Sequence, residues 1–133
     1  MKQFCWPVRV YYEDTDAGGV VYYANYLKFM ERARTEWLRE LGYEQDVLLQ
    51  DYSLVFVVRS VQIDYLQPAR FNDALTVTAQ VAELTGASIT LEQLIRRTSS
   101  NEVLSQGVVK IVCVNAASLK PVAIPQVLKT KIQ

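Results

Sequence analysis

Only one long stretch of the chain repeats its apolar residues at helical spacing. Between residues 22 and 41, Tyr23, Tyr26, Leu27, Met30, Ala33, Trp37 and Leu41 recur three or four positions apart, which lines them along one face of a helix. Lys28, Glu31, Arg32, Glu36 and Arg39 fall off that stripe, Arg32 and Glu36 as an i,i+4 pair of opposite sign. Gly42 is suited to end the helix in a left-handed conformation. A weaker helical turn is predicted over 45–50. The other long segments have period two. A β-type run over Val8–Tyr12 precedes the helix, and Leu54–Tyr65, Leu75–Leu84, Ser88–Arg97 and Val103–Val114 follow it. Leu54–Tyr65 places Val55, Val57, Val61, Ile63 and Tyr65 on one face, with Arg59 interrupting. Thr85-Gly86 and Ser99-Ser100-Asn101 supply turns, so the last three strands are predicted to form an antiparallel meander. One helix cannot form a bundle, and its stripe must be buried on a sheet. The prediction is a single α+β domain over 1–133 with a five-stranded antiparallel sheet wrapped around a long central helix. Such a sheet keeps long edges and partly apolar faces, which favours a dimer that continues the sheet.

Composition removes several function classes. The chain has no histidine, so triads, Cys–His pairs and imidazole metal ligands are all excluded. Acid–base chemistry falls to carboxylates, Tyr, Lys or Cys. Lys plus Arg equals Asp plus Glu at 14 each, which gives no electrostatic footprint for a nucleic-acid partner. Cys5 and Cys113 are far apart and without metal-ligand spacing, so reduced thiols and no metal site are expected. The first residues lack a secretory apolar core, and no apolar run is long enough to span a membrane. A cytoplasmic protein without an integral membrane segment is the expectation.

Chemistry concentrates where Glu13, Asp14 and Asp16 crowd before Gly18-Gly19 and the helix. A carboxylate beside a helix N-terminus has the parts for attack on a carbonyl and for holding an oxyanion. The same residues also describe an ordinary acidic turn that caps a helix. The glycines match neither a phosphate-binding loop nor a dinucleotide fingerprint.

The stretch VRVYYEDTDAGGVVYYANYLKFMERARTEWLRELG resembles the signature of the YbgC-type branch of the 4-hydroxybenzoyl-CoA thioesterase family. Asp14, Asp16, Gly19-Val20-Val21, Tyr22, Asn25 and Tyr26 carry the pattern. Weaker similarity runs through FVVRSVQIDYLQPARFND and KIVCVNAASLKPVAIP, so it covers nearly the whole chain. The resemblance implies the hotdog fold, a homodimer or homotetramer, hydrolysis of acyl-CoA thioesters, and an association with the Tol-Pal envelope system. It also implies that Asp16 is the catalytic nucleophile or base, that the backbone N–H of Tyr23 polarises the carbonyl, and that Tyr12 takes part. Gly19, Val20, Val21, Asn25 and Arg59 are the expected substrate contacts, with Arg70 and Lys120 as further candidates for the CoA phosphates. No cofactor is implied, the CoA thioester being the substrate. A non-catalytic hotdog module that binds acyl carrier protein or an envelope-assembly partner is the alternative. The sequence departs from the YbgC pattern at Tyr23, where that branch usually carries His and the aromatic-acyl branch carries Tyr.

Overall fold

The computed structural model describes residues 2–133. Strand β1 runs over Phe4–Arg9, helix α1 over Asn25–Glu40, helix α2 over Gln45–Tyr52 and strand β2 over Leu54–Tyr65. Strands β3 (Ala74–Leu84), β4 (Ser88–Arg97) and β5 (Val103–Asn115) follow, and helix α3 (Gln126–Ile132) closes the chain. All pairings are antiparallel and the spatial order is β1-β3-β4-β5-β2. The meander β3-β4-β5 stands as expected, and β2 lies on the far edge of the five-stranded sheet beside β5.

Helix α1 starts three residues later than its stripe suggests. The N–H of Tyr22 donates to the carbonyl of Asp14 (2.9 Å), which draws Tyr22 and Tyr23 into the preceding turn. The buried face is formed by Tyr26, Phe29, Met30, Ala33, Trp37 and Leu38, whereas Tyr23 and Leu27 are exposed. Gly42 does end the helix at φ +95°. Glu36 pairs with Arg39 rather than with Arg32, and Arg39 also reaches Glu44 at 3.1 Å. Both pairs are at the surface, where each contributes little.

The first strand lies earlier than the predicted Val8–Tyr12. Phe4 to Arg9 pair with Ala79 to Ala74, and the chain then leaves the ladder. The N–H of Tyr11 is taken by the carboxylate of Asp14 (2.8 Å), so Tyr12–Asp14 closes as a 3-10 turn instead of extending the strand. A bulge corrects a second expectation. Val58 lies opposite Ile111 and Ser60 opposite Lys110, which leaves Arg59 as the extra residue. The faces exchange there: Val57, opposite Val112, is on the other side of the sheet from Val61, opposite Val109. Helix α3 was not predicted. Its seven residues bury only Leu128 and Ile132, too short a repeat to signal a helix.

The inner face of the sheet packs Leu75, Val77, Ala79, Leu91, Ile95 and Val109 against α1. Gly107 lets the helix come close, since a Cβ there would stand 3.1 Å from the Sδ and Cε of Met30. Among these apolar groups sits the wholly buried Gln93. Its Nε2 donates to the carbonyls of Met30 (3.0 Å) and Thr78 (3.2 Å), and its Oε1 accepts from Nη1 of Arg34 (3.0 Å). One amide thus ties α1 to two strands and holds a buried guanidinium. Gln93→Leu is expected to cost about 2–3 kcal/mol, because it removes the acceptor of a buried charge and adds none. Urea unfolding followed by circular dichroism measures this loss.

Candidate active site

The acidic turn folds into a loop pinned at three points. Asp14 is its buried anchor: Oδ2 accepts from the N–H of Tyr11, Oδ1 accepts from Nδ2 of Asn25 (3.1 Å), and the carbonyl accepts from Tyr22. The N–H of Asp16 donates to the carbonyl of Val20 (2.9 Å), and that of Gly19 donates back to the carbonyl of Asp16 (3.1 Å). Gly19 turns the chain at φ +78°, a left-handed conformation that glycine adopts without cost. The 69–71 segment supplies the third point. Val20 bridges to Arg70, and the N–H of Val21 donates to the carbonyl of Ala69 (2.8 Å).

Three neighbouring carboxylates therefore differ in environment. Asp14 is buried and saturated with protein donors. Glu13 is exposed and takes no hydrogen bond among the described residues. Asp16 is exposed and accepts one hydrogen bond among the described residues, from the N–H of Gly18 to Oδ1 at 2.8 Å. A side chain at Gly18 would press within 3.2 Å of that oxygen. Asp16 is thus a carboxylate fixed by one donor and open to a ligand. Close by, the N–H groups of Tyr23 and Ala24 have no acceptor among the described residues. They stand at the head of α1, where unpaired donors and the helix dipole favour negative charge.

Beside them is an aromatic cavity of about 270 Å³, lined by Val21, Tyr23, Tyr26, Tyr65, Leu66 and Pro68 among others. The Tyr65 hydroxyl donates to the carbonyl of Tyr23 (3.1 Å), and the N–H of Ala69 donates to the hydroxyl of Tyr26 (3.0 Å). Tyr65 meets the Tyr26 and Tyr23 rings edge-on at 5.2 and 6.2 Å. Burial pushes the Tyr65 and Tyr26 phenols up from their ordinary range. The neighbouring Tyr23 side chain is the main cause of the upward shift at Tyr22. These three hydroxyls stay neutral near neutral pH.

The loop brings Asp16, Gly19, Val20 and Val21 together, and Tyr23 follows two residues on, at the wall of the cavity. Asn25 is also at the loop, but its amide is turned inward to Asp14. Tyr12 points outward, its ring stacked on Phe71 at 3.9 Å. Arg70 flanks the loop through its pairing with Val20. Arg59 lies in mid-β2, roughly 20 Å along the strand from Tyr65. Lys120, whose carbonyl accepts from the N–H of Asn115, lies at the opposite end of the β2–β5 ladder from Tyr65. Tyr65 and Pro68 escaped the sequence reading as site residues, because they come to the cavity through the fold and not along the chain; Gly18 is named there, but not its bond to Asp16. Among the described residues, no group of three or more His, Cys, Asp and Glu is arranged to hold a metal ion.

The family model of the thioesterase-like superfamily matches residues 10–132. The chain belongs to that superfamily. It is 51% identical over 126 residues to the acyl-CoA thioesterase YbgC of Haemophilus influenzae, covering 95% of this chain and 91% of the relative. It is 45% identical to the acyl-CoA thioester hydrolase YbgC of Escherichia coli O6:H1, over 92% and 90% of the two chains. The crystal structure of a probable thioesterase from Bartonella henselae superposes with a TM-score of 0.88 at 35% identity, covering 93% of this chain and 100% of that one. The fold is the hotdog fold of these thioesterases, and the expectation drawn from the sequence holds.

The two aspartates separate in experiment. Asp14→Ala strands the N–H of Tyr11 and the amide of Asn25, and a loss of about 1–3 kcal/mol in stability is expected. Asp16→Ala removes only a local turn bond at the surface and is expected to stay within about 0.5 kcal/mol of the parent. Parallel urea titrations of the two variants provide the comparison.

Proposed function

We propose that the chain hydrolyses acyl-CoA thioesters, with Asp16 as the reacting carboxylate and the N–H groups of Tyr23 and Ala24 as the oxyanion site. The observation that carries this reading is the pairing of an open carboxylate with unpaired donors at the head of α1, in a chain that belongs to a thioesterase superfamily. Its curated relatives bear the names of thioesterases, which favours turnover over a binding-only module.

The chemistry needs no imidazole. A thioester carbonyl is electrophilic and its thiolate leaves readily, so the leaving group requires little protonation. With Asp16 as base, its carboxylate takes a proton from water while the water oxygen bonds to the carbonyl carbon. The resulting oxyanion is held by the two N–H groups. Collapse of this intermediate breaks the C–S bond and yields the free acid and CoA. With Asp16 as nucleophile, its oxygen bonds to the carbonyl carbon, CoA thiolate leaves, and water opens the mixed anhydride. A single turnover in ¹⁸O water that leaves label in the Asp16 carboxylate establishes the nucleophilic route, since only water attack on the Asp16 side of the anhydride puts it there.

The same proposal covers assembly and setting. Strand β2 is an edge of twelve residues with Val57, Val58, Val61 and Tyr65 exposed, whereas the other edge, β1, is six residues long and blunted by Pro7. A second copy pairing along β2 covers that edge, which supports a homodimer as the unit of any higher oligomer. The likeness to YbgC-type sequences supports a cytoplasmic location and a role beside the Tol-Pal system. No helix among the described residues is long and apolar enough to cross a membrane. Acyl carrier protein thioesters belong in the substrate panel, as an acyl carrier protein is the other donor this reading admits.

Asp16→Asn is expected to lose on the order of a hundredfold or more in kcat/KM while keeping its fold, because an amide is neither base nor nucleophile. Tyr23→Phe is expected to stay within roughly tenfold, because the backbone donor remains. Thiol release across aromatic and aliphatic acyl-CoAs measures both. Equal small losses in Asp16→Asn and Asp14→Asn would sink the assignment. Light scattering is expected to give a mass of at least twice the 15.2 kDa of one chain.

A further inference from the structure

The carbonyl of Tyr23 and the N–H of Ala24 are the two ends of one planar peptide unit. In a trans unit they point in opposite directions, so a donor on the carbonyl acts on the N–H from behind. The Ala24 N–H has no acceptor among the described residues and forms half of the proposed oxyanion site. The Tyr23 carbonyl accepts from two donors among the described residues. One is the N–H of Tyr26, at a long 3.4 Å. The other is the hydroxyl of Tyr65, at 3.1 Å. The donor a regular helix would offer is engaged elsewhere, since the N–H of Leu27 goes to the carbonyl of Ala24 (3.2 Å). The shorter bond to this carbonyl thus comes from a phenol of the sheet.

That phenol is held in place from several directions. Tyr65 is the last residue of β2 and lies opposite Ser105 of β5, whose hydroxyl donates to the carbonyl of Asp64 (2.9 Å). Its ring stands edge-on to those of Tyr23 and Tyr26. Burial, more than its two tyrosine neighbours, pushes the phenol up from its ordinary range, so the proton it donates stays in place near neutral pH.

We infer that Tyr65 is a positioning residue of the oxyanion site: by bonding the Tyr23 carbonyl, its hydroxyl aims the Ala24 N–H at the thioester oxygen and strengthens it as a donor. The inference rests on the thioesterase reading above and adds to it a sheet residue that acts through Ala24. Hydrogen bonds in series polarise one another by roughly 10–30% per bond. An oxyanion donor contributes about 10²–10³ in rate, so losing the phenol bond is expected to lower kcat about two- to eightfold.

Tyr65→Phe keeps the ring and removes only the hydroxyl. Thiol release by parent and variant is measured across aromatic and aliphatic acyl-CoAs. The expected result is a fall in kcat of one size for every acyl group, with KM within about twofold of the parent. Infrared spectra of a bound thioester, labelled with ¹³C at its carbonyl, give the second readout in the slow Asp16→Asn background. Adding Tyr65→Phe is expected to raise the carbonyl wavenumber, because a weaker donor polarises the carbonyl less. A contact that only holds the fold together leaves that band where it is. If Tyr65→Phe does not fold by circular dichroism, 3-fluorotyrosine at position 65 takes its place, as a stronger donor while it is neutral. At mildly acidic pH a lowered band then supports the inference and an unmoved one overturns it. Parental kcat in Tyr65→Phe, or an unmoved band, overturns the role of Tyr65 and leaves the thioesterase reading standing, provided the parent turns over. A loss that tracks the acyl group or falls on KM also overturns it, and makes Tyr65 a wall of the acyl cavity. A parent without turnover on any acyl-CoA overturns both readings.

Discussion

The site depends on the buried carboxylate of Asp14. Its side chain and its carbonyl bind Tyr11, Asn25 and Tyr22, which come from the end of the first strand and from the start of α1. With those donors engaged, the chain between them closes as a tight loop, and the entry to the helix is set at Asn25. Charge-assisted bonds to a buried carboxylate are among the stronger local restraints available to a loop. Every other feature of the site is positioned relative to this one: the turn at Gly19, the open oxygen of Asp16, and the unpaired N–H groups of Tyr23 and Ala24.

The second constraint is that one helix cannot cover five strands. Helix α1 seats its apolar face against β1, β3 and β4, and Gly107 and Gln93 let it settle there. The inner face of β2 is left with exposed Val58, Val61 and Tyr65. The aromatic cavity at the head of α1 opens towards this uncovered strand, through Tyr65. The cavity and the exposed edge thus meet at Tyr65 for a single packing reason.

Much of this was legible in the residues. The helical stripe and the alternation of β3 to β5 are periodic over ten or more positions, and both were recovered. What failed was decided by one or two atoms. The Asp14 carboxylate cut the first strand short by taking the N–H of Tyr11, and the Asp14 carbonyl delayed the helix by taking that of Tyr22. A bulge at Arg59 reversed which valines of β2 share a face. In the site, Asp16 and Tyr23 came from the motif because the loop is local in sequence. Tyr65 and Pro68 had no such signal, since the sheet order β5-β2 that delivers them is a long-range property. The inward turn of Asn25 was equally hidden, because an amide next to an acidic loop serves a ligand or a carboxylate with the same chemistry.

If Asp16 reacts as proposed, the division of labour among the acids lets a chain without histidine hold a reactive group at its surface. A carboxylate meant to attack must keep an oxygen free, yet a free carboxylate on a mobile loop loses the orientation that makes attack efficient. Here the two requirements fall on different residues. Asp14 takes three donors through its side chain and carbonyl and cannot reach substrate. Asp16, two residues on, inherits the rigidity of that anchor and spends a single bond, from Gly18, on its own orientation. The neutral phenols of Tyr26 and Tyr65 add no competing charge beside the helix N-terminus. On the same proposal, an anion developing at the N–H groups of Tyr23 and Ala24 meets a preorganised dipole lined by rings, which is where such a dipole acts most strongly on the transition state.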